Sequence, residues 1–227
     1  MKITVLTGAG ISAESGLGTF RDNDGLWAHY RIEDVCTPEA LIRNRPLVVD
    51  FYNQRRKETL AAQPNAAHVA LKRLEEKYDV RIVTQNIDDL HQRAGSRNVL
   101  ELHGSVYRNR CLHCGAFYSL DALLKKLDAS PDGVPRCGCG GVIKPDVVLY
   151  GEGLDQAVLS AAIAHISRAD LLIIGGTSLM VYPAAALIDY FRGRHVVVIN
   201  LSDTGRETGA DLTIRRSIDE VLSEAVD

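Results

Sequence analysis

Short runs of aliphatic and β-branched residues with little polar alternation recur along the chain, and they predict strands that are buried on both faces. Four of these runs lead directly into small or polar residues. Runs of this kind are typical of parallel sheets, in which ligands bind beyond the carboxyl ends of the strands. The pattern therefore predicts one nucleotide site, assembled where the runs at 2–6, 80–83, 171–174 and 196–199 end.

Glycines, amides and hydroxyls make up the four clusters that follow these runs, at 7–10, 84–88, 175–178 and 200–202. Gly8 and Gly10 would let the backbone turn sharply between a strand and a helix, whose N-terminus favours phosphate. The spacing departs from G-x-G-x-x-G, and no acidic residue is clearly placed for the ribose. On turn chemistry alone, a tight turn that binds no ligand is an equal alternative.

Helical patterns alternate with these strands. They cover 38–78, with a cap at Thr37 and a second helix after Pro64-Asn65. They also lie around 155–168, from Pro183 onward and near 217–226, and a short strand is predicted at 99–102. Residues 105–144 are rich in cysteine, glycine and proline and lack sheet-like periodicity, apart from a helical stretch near 120–128.

The predicted fold class is therefore α/β: a Rossmann-like doubly wound parallel sheet with a small inserted zinc-binding module and a helical insertion. We expect a single domain over residues 1–227. Its parts are a Rossmann-like core (1–30, 79–104 and 145–227), the helical insertion (31–78) and the zinc module (105–144).

Composition narrows the class of protein. A chain of 227 residues that is 46% hydrophobic can fill a substantial core. The formal net charge of −3 argues against electrostatic binding to nucleic acid. No apolar run is long enough to cross a bilayer, and the N-terminal one is too short for a secretory signal. The expectation is a cytoplasmic protein with neither nucleic acid nor membrane as a partner.

Four of the five cysteines form two pairs by spacing, Cys111 with Cys114 and Cys137 with Cys139. Thiolates from two tight turns supply the tetrahedral set that Zn²⁺ prefers, and four thiolates leave no open position, so the predicted zinc is structural. The second pair is compressed to C-x-C, which keeps His113 as a minor candidate ligand. Four buried free cysteines would be the poorer account.

Six motifs, taken in order along the chain, resemble the sirtuin family, the NAD-dependent protein-lysine deacylases. They are Gly-Ala-Gly-Ile-Ser at 8–12, Thr-Phe-Arg at 19–21, Thr-Gln-Asn-Ile-Asp at 84–88, His-Gly at 103–104, Gly-Thr-Ser at 176–178 and Val-Tyr-Pro at 181–183. The resemblance implies NAD and Zn²⁺ as cofactors and acyl-lysine side chains of proteins as substrates. Gly18 departs from the proline usual in the family and gives the loop before Phe20 more freedom.

A lone histidine is more often a structural residue than a catalytic one. The resemblance to the sirtuin motif nevertheless assigns catalysis to His103. The acyl oxygen of the substrate attacks C1′ of the nicotinamide ribose, nicotinamide leaves, and His103 acts as general base toward a ribose hydroxyl. Hydrolysis then releases free lysine and O-acyl-ADP-ribose. Segment 147–152 is similar to the one that pairs with the substrate backbone as an added strand, with Leu149-Tyr150 in place of the usual aromatic pair.

Roles in NAD binding follow from the same resemblance. Asn86 and Asp88 belong to the nicotinamide pocket, although Asx residues are also routine helix caps. Gln85 faces the ribose, and Asn200 and Ile218 face the adenosine ribose and the adenine. Phe20 walls the nicotinamide pocket, Arg21 faces phosphate and ribose, and Thr177 and Ser178 face phosphate. The remaining predicted cofactor-binding residues are Gly8, Ala9, Gly10, Ser12, Ile87, Gly176, Leu201 and Ser202.

Tyr52 and Arg55 share a face of a predicted helix, where a phenol beside a guanidinium can hold a carboxylate. Helix geometry alone favours a solvated basic face, since Arg56 and Lys57 follow. The pair, however, resembles that of sirtuins that remove succinyl and malonyl groups. Cys36 stands where that group commonly carries alanine, so we expect a narrower acyl pocket that favours malonyl over succinyl.

Three other functions compete with deacylation. A Rossmann oxidoreductase lacks an acidic residue clearly placed for the ribose. A zinc-ribbon nucleic-acid module would need a basic surface over 105–144, where basic residues are spread out and offset by acids. NAD-dependent ADP-ribosyl transfer to protein is the closest alternative, because it shares the cleavage step and differs only in the acceptor.

Overall fold

The computed structural model describes residues 1–19, 26–207 and 209–226. Their strands, in chain order, are β1 (Lys2–Thr7), β2 (Asp79–Thr84), β3 (Val99–Glu101), β4 (Gly104–Cys111), β5 (Phe117–Tyr118), β6 (Ile143–Val147), β7 (Leu171–Gly175), β8 (His195–Ile199) and β9 (Leu212–Ile214). The helices are α1 (Leu26–His29), α2 (Ile32–Val35), α3 (Pro38–Arg43), α4 (Arg45–Ala61), α5 (Ala66–Leu74), α6 (Leu90–Arg93), α7 (Leu120–Asp128), α8 (Gln156–Arg168) and α9 (Ile218–Val226), with 3₁₀ helices at Ala9–Ser15 and Ala184–Tyr190.

The central sheet has the order β3-β2-β1-β7-β8-β9, and each neighbouring pair is parallel. The chain adds β2 and β3 on one side of β1 and then returns to add β7, β8 and β9 on the other side. The strand order therefore reverses between β1 and β7, and this switch point is where doubly wound sheets bind ligands. The predicted parallel sheet is confirmed.

Alternate residues of the inner strands face two separate hydrophobic cores. Val5 packs with Leu71 of α5 and Leu222 of α9 on one face of the sheet. Leu6 packs with Ile166 of α8 and Leu187 of the second 3₁₀ helix on the other face. Because both faces are covered, these strands carry the continuous apolar runs seen in the sequence.

The cysteine-rich region contains a sheet that the sequence pattern did not predict. Strands β5, β4 and β6 form an antiparallel sheet in that order. The expectation of no sheet structure between 105 and 144 was wrong for a physical reason. The register of β4 against β6 shifts between Ser105 and Asn109, so the alternation of buried and exposed positions is broken, and β5 has only two residues. Helix α7 has the bounds predicted for the helical stretch near 120–128.

The helical insertion is divided into several helices, and the second helix expected after Pro64-Asn65 is α5. The Thr37 side chain accepts a hydrogen bond from the Ala40 N–H and caps α3, as predicted. Helix α4 has a proline in its first turn, and Asn65 caps α5 through the His68 N–H. The expected alanine-rich helix after Pro183 is a 3₁₀ helix, and the short strand β9 was not predicted.

Helix α4 packs against α2 and α3 and against the small sheet. Phe51 and Tyr52 share a hydrophobic cluster with Val106 of β4 and Val147 of β6. The insertion and the small sheet thus build one wall of the region beyond the central sheet. None of the helices in the described ranges combines the length and the apolar composition needed to span a bilayer.

Candidate active site

A cavity of about 330 Å³ opens at the switch point of the central sheet. All four predicted strand-end clusters contribute to it, together with residues of the helical insertion and of the segment after β6. The predicted site residues that line it are Gly8, Ala9, Gly10, Ser12, Tyr52, Arg55, Gln85, Asn86, Ile87, Asp88, His103, Gly176, Thr177, Ser178, Asn200, Leu201, Ser202 and Ile218. Phe20 and Arg21, also predicted, lie outside the described residues.

The glycines after β1 and β7 are required by the close approach of the two strand ends. The Gly10 N–H donates to the Gly176 carbonyl at 2.8 Å. A Cβ on Gly8 would lie 2.8 Å from Thr177 Cβ, and one on Gly10 would lie 2.8 Å from Gly176 Cα. Larger residues would force the two ends apart and close the space between the strand ends and the cavity. The glycines at 8 and 10 therefore form a tight turn and also border the cavity, so the two interpretations of this segment do not exclude each other.

A buried polar cluster of Ser12, Asn86 and Asp88 borders the cavity. The Ser12 hydroxyl donates to Asp88 Oδ2 at 2.7 Å, and Asn86 Nδ2 donates to Ser12 Oγ at 2.9 Å and to Asp88 Oδ2 at 3.2 Å. Asp88 Oδ1 also accepts from the Leu90 N–H at the start of α6. Asp88 thus serves the helix terminus and the cavity together, and the alternative of a helix cap does not exclude a ligand.

Gln85 connects two strand ends across the site. Its Nε2 donates to Thr177 Oγ1 at 2.9 Å, and the same hydroxyl oxygen accepts from the Leu179 N–H at 3.2 Å. This chain of hydrogen bonds fixes side chains that follow β2 and β7, which are not neighbours in the sheet. Side chains held in this way are positioned before any ligand arrives.

His103 lines the cavity immediately after β3, and its ring is oriented by backbone. Its Nδ1 lies 2.9 Å from the Gln85 carbonyl oxygen. Because a carbonyl only accepts, Nδ1 carries the proton in the neutral ring and Nε2 is the basic atom. Burial lowers the pKa of His103 below its usual value, opposed by the Gln85 hydrogen bond. The imidazole is therefore neutral at physiological pH and can accept a proton.

The other end of the cavity is formed by Cys36, Tyr52 and Arg55. Tyr52 and Arg55 are only 4% and 6% exposed, which rules out the solvated basic face for this pair. Arg56 is also buried, and it donates to the Val106 carbonyl and to Asn109 of β4. Lys57, by contrast, is exposed.

Cys36 and Tyr52 are paired in this part of the cavity. The Tyr52 hydroxyl donates to Cys36 Sγ at 3.8 Å. Burial raises the pKa of Tyr52 well above its usual value and raises that of Cys36 to about 11. Both groups are therefore neutral at physiological pH, and the phenol can act as a hydrogen-bond donor.

Sequence reasoning missed Glu58, which is in contact with Arg55. Arg55 Nη1 donates to Glu58 Oε2 at 2.6 Å. The available signal was the i, i+3 spacing of opposite charges on one helix, which is common on solvated helices and carries little information alone.

Four cysteine sulfurs converge at one end of the small sheet. The Sγ atoms of Cys111, Cys114, Cys137 and Cys139 all lie within 4.8 Å of one another. Cys111 and Cys139 are 3.5 Å apart and Cys114 and Cys137 3.6 Å, close to the separation of about 3.8 Å implied by Zn–S bonds of about 2.3 Å in a tetrahedron.

The exposure and the membership of this cluster exclude two alternatives, buried free cysteines and His113 as a ligand. Cys114 and Cys139 are exposed, so the cluster is not a group of buried structural thiols. His113, the minor candidate, is exposed and does not belong to the group; its backbone N–H donates to Cys111 Sγ instead. Gly141 is needed for packing, since a Cβ there would lie 2.7 Å from Cys111 Sγ. The four thiolates fit a structural Zn²⁺.

Comparison with known proteins identifies the family. Residues 8–183 match the model of the Sir2 family. An NAD-dependent protein deacetylase of Clostridium perfringens is 48% identical, over 99% of this chain and 93% of that protein. An NAD-dependent protein deacylase of Pyrococcus furiosus is 44% identical, over 97% of this chain and 90% of that protein.

Solved structures agree with these sequence relatives. A Sir2 homologue in complex with ADP-ribose superimposes with a TM-score of 0.92 at 41% identity, covering 99% of this chain and 90% of that chain. A Sir2 protein with a deacetylated p53 peptide and 3′-O-acetyl ADP ribose superimposes with a TM-score of 0.90 at 38% identity, covering 97% of this chain and 90% of that one. The chain belongs to the Sir2 family, as its ordered motifs indicated.

Proposed function

We propose that this protein removes acyl groups from lysine side chains of proteins in an NAD-dependent reaction, and that these groups include succinyl and malonyl as well as acetyl. Membership of the Sir2 family supports NAD-dependent deacylation. The extension to acidic acyl groups is carried by one observation. A buried tyrosine and a buried arginine, Tyr52 and Arg55, line the same cavity as His103.

The residues around the cavity suit NAD. When bound, NAD supplies a ribose carbon from which nicotinamide is a good leaving group. The carboxylate of Asp88 and the amide of Asn86 match the donor and acceptor of the nicotinamide carboxamide. Backbone at Gly8, Gly10 and Gly176 gives phosphate an approach without side chains.

His103 would act as the general base. Its Nδ1–H is held by the Gln85 carbonyl, so Nε2 accepts the proton of a ribose hydroxyl while the ring keeps its orientation. Its lowered pKa keeps most of the enzyme in the basic form at neutral pH. Gln85, through Thr177, links this histidine to the phosphate side of the site.

Tyr52 and Arg55 would bind the distal carboxylate of an acidic acyl group. A protonated phenol and a guanidinium both donate hydrogen bonds, and burial strengthens their interaction with a carboxylate. Cys36 narrows this end of the cavity in comparison with alanine. We therefore expect malonyl, the shorter group, to be accepted better than succinyl.

Arg55→Met tests the acidic acyl pocket directly. Hydrogen bonds to a charged group are worth about 1.5–3 kcal/mol, so desuccinylation should fall by about 10- to 100-fold. Deacetylation should change much less, because acetyl has no carboxylate to lose. Lys57→Met removes a neighbouring but exposed positive charge from the same helix and should leave both rates near wild type. An unchanged ratio of desuccinylation to deacetylation in Arg55→Met would reject the pocket.

A further inference from the structure

Arg55 already holds an internal carboxylate beside the proposed acyl pocket. Its Nη1 donates to Glu58 Oε2 at 2.6 Å, one turn further along α4. The two partners differ in exposure: the Arg55 side chain is 7% exposed and that of Glu58 is 35% exposed. Arg55 borders the cavity, whereas Glu58 is not among the residues that line it. The ion pair therefore joins a buried cation at the cavity wall to an anion that reaches solvent.

We infer that Glu58 is an exchangeable counter-ion of Arg55, which neutralises the guanidinium when the acyl group is neutral and yields it to the carboxylate of an acidic acyl group. This inference rests on the proposed function, since it gives Arg55 the same ligand. It makes Glu58 a specificity-determining residue that widens the range of accepted acyl groups at the expense of preference for acidic ones.

The physical reason is the cost of burying an unpaired charge. With an acetyl group in the cavity, a guanidinium without a counter-ion would face a methyl group, which is unfavourable. Glu58 removes that cost. With a succinyl group, two carboxylates compete for one guanidinium and repel each other. Glu58 is the partner that can turn toward water, because more than a third of its side chain is already accessible.

The other carboxylate near Tyr52 is tied to its own partners. Glu152 lines the cavity, but its Oε2 accepts from the Leu149 N–H at 2.8 Å and lies 3.8 Å from Lys144 Nζ. Its position is set by the segment after β6. Glu58, in contrast, has its second oxygen bound by the exposed Gln54 side chain at 3.2 Å, a contact that a glutamine at 58 can retain.

The test compares three acyl groups on one peptide: acetyl, succinyl, and succinamoyl, the neutral amide of the same length. The ratio of kcat/KM for succinyl to that for succinamoyl isolates the effect of charge. Glu58→Gln should raise this ratio on the order of 3- to 10-fold, through a lower KM for the succinyl peptide, because a partly exposed charge is partly screened. Deacetylation should fall slightly. Asp50→Asn, an exposed carboxylate lost from the same helix, should leave the ratio unchanged.

The Arg55→Met background separates the two possible failures. There, the further change Glu58→Gln should have no effect on the ratio. If Arg55→Met alone leaves the ratio unchanged, the acidic pocket itself is wrong. If Arg55→Met lowers the ratio but Glu58→Gln leaves it unchanged or lowers it, Glu58 orients Arg55 instead, and the exchange is overturned. Glu58→Ala, which removes the same charge, gives the same comparison should Glu58→Gln fail to fold.

Discussion

The parallel-sheet core and the cysteine module (residues 105–144) place functional atoms by different means. In the core, side chains at four strand ends are positioned by continuous backbone pairing and by apolar packing on both faces of the sheet. The module has an irregular antiparallel sheet and few large buried residues, among them Leu123 and Ile143. A small hydrophobic core of this size commonly needs a metal. We therefore expect the core to be stable through burial and the module to depend on a metal bound by its four thiolates.

The two regions meet beside His103, the proposed general base. His103 ends the core segment, and Gly104 begins β4 of the small sheet and pairs with Val147. The residues that follow β6 line the cavity from the other side. Disturbance of the module should therefore change activity by shifting this wall of the cavity, while the four strand ends of the central sheet stay folded.

Removing zinc should have the largest effect on folding, and the loss of structure should be confined to the module. Structural Zn²⁺ in small peptides contributes an apparent 10–16 kcal/mol or so to folding. Strong chelation should speed hydrogen exchange in β4–β6 and leave β1 and β2 protected, as mass spectrometry of peptic fragments can resolve. Restoring Zn²⁺ should reverse the change. Absence of zinc in protein purified without chelator, or uniform exchange after chelation, would contradict this contrast.

His103→Ala should have the next largest effect, on turnover alone. Loss of a general base costs on the order of 10²–10⁴ in rate, while the strand ends proposed to bind NAD are unchanged. Steady-state kinetics and calorimetric titration with NAD measure the two quantities separately. Near-normal deacylation by the variant would remove His103 from the mechanism. Loss of NAD binding would show that the strand ends need the His103 side chain to bind NAD.

Gly104→Ala should destabilise the junction between the two regions. Gly104 has a φ of 78°, and a Cβ there would lie 1.8 Å from the Asp146 carbonyl oxygen. Strain and overpacking together should cost about 2–5 kcal/mol in the free energy of unfolding. Gly115→Ala is the matched control, with a φ of 70° and open space around it, and should cost about 1–2 kcal/mol. Urea denaturation measures both; equal losses would mean that the contact with β6 is unimportant.

The pH dependence of kcat/KM should show the smallest effect. Burial lowers the pKa of His103, and the basic form is the active one. Activity should therefore be full at neutral pH and fall only on the acid side, with an apparent pKa below 6.5, about tenfold for each unit below it. A limb that begins above pH 7 would argue against a neutral, buried imidazole as the base.

The contrast between the regions also explains what could be predicted from the sequence. Parallel strands buried on both faces appear in the sequence as continuous apolar runs. The runs before Gly8, Gln85, Gly176 and Asn200 therefore predicted the four strand ends that line the cavity. The small sheet is harder to predict, because β4 and β6 pair across more than 30 residues, β5 has only two residues, and a bulge breaks the alternation of β4. The ion pair between Glu58 and Arg55 could not be predicted either, because its role depends on the burial of Arg55, which the sequence pattern does not show.

The most direct test of NAD-dependent deacylation is the identity of its products. Wild-type protein is incubated with NAD and one peptide carrying acetyl-, malonyl- or succinyl-lysine, and the products are identified by mass spectrometry. We predict free lysine, nicotinamide and O-acyl-ADP-ribose in equal amounts, with all three peptides consumed. ADP-ribose attached to protein or peptide while the acyl-lysine stays intact, or cleavage of NAD without loss of the acyl group, would contradict the account.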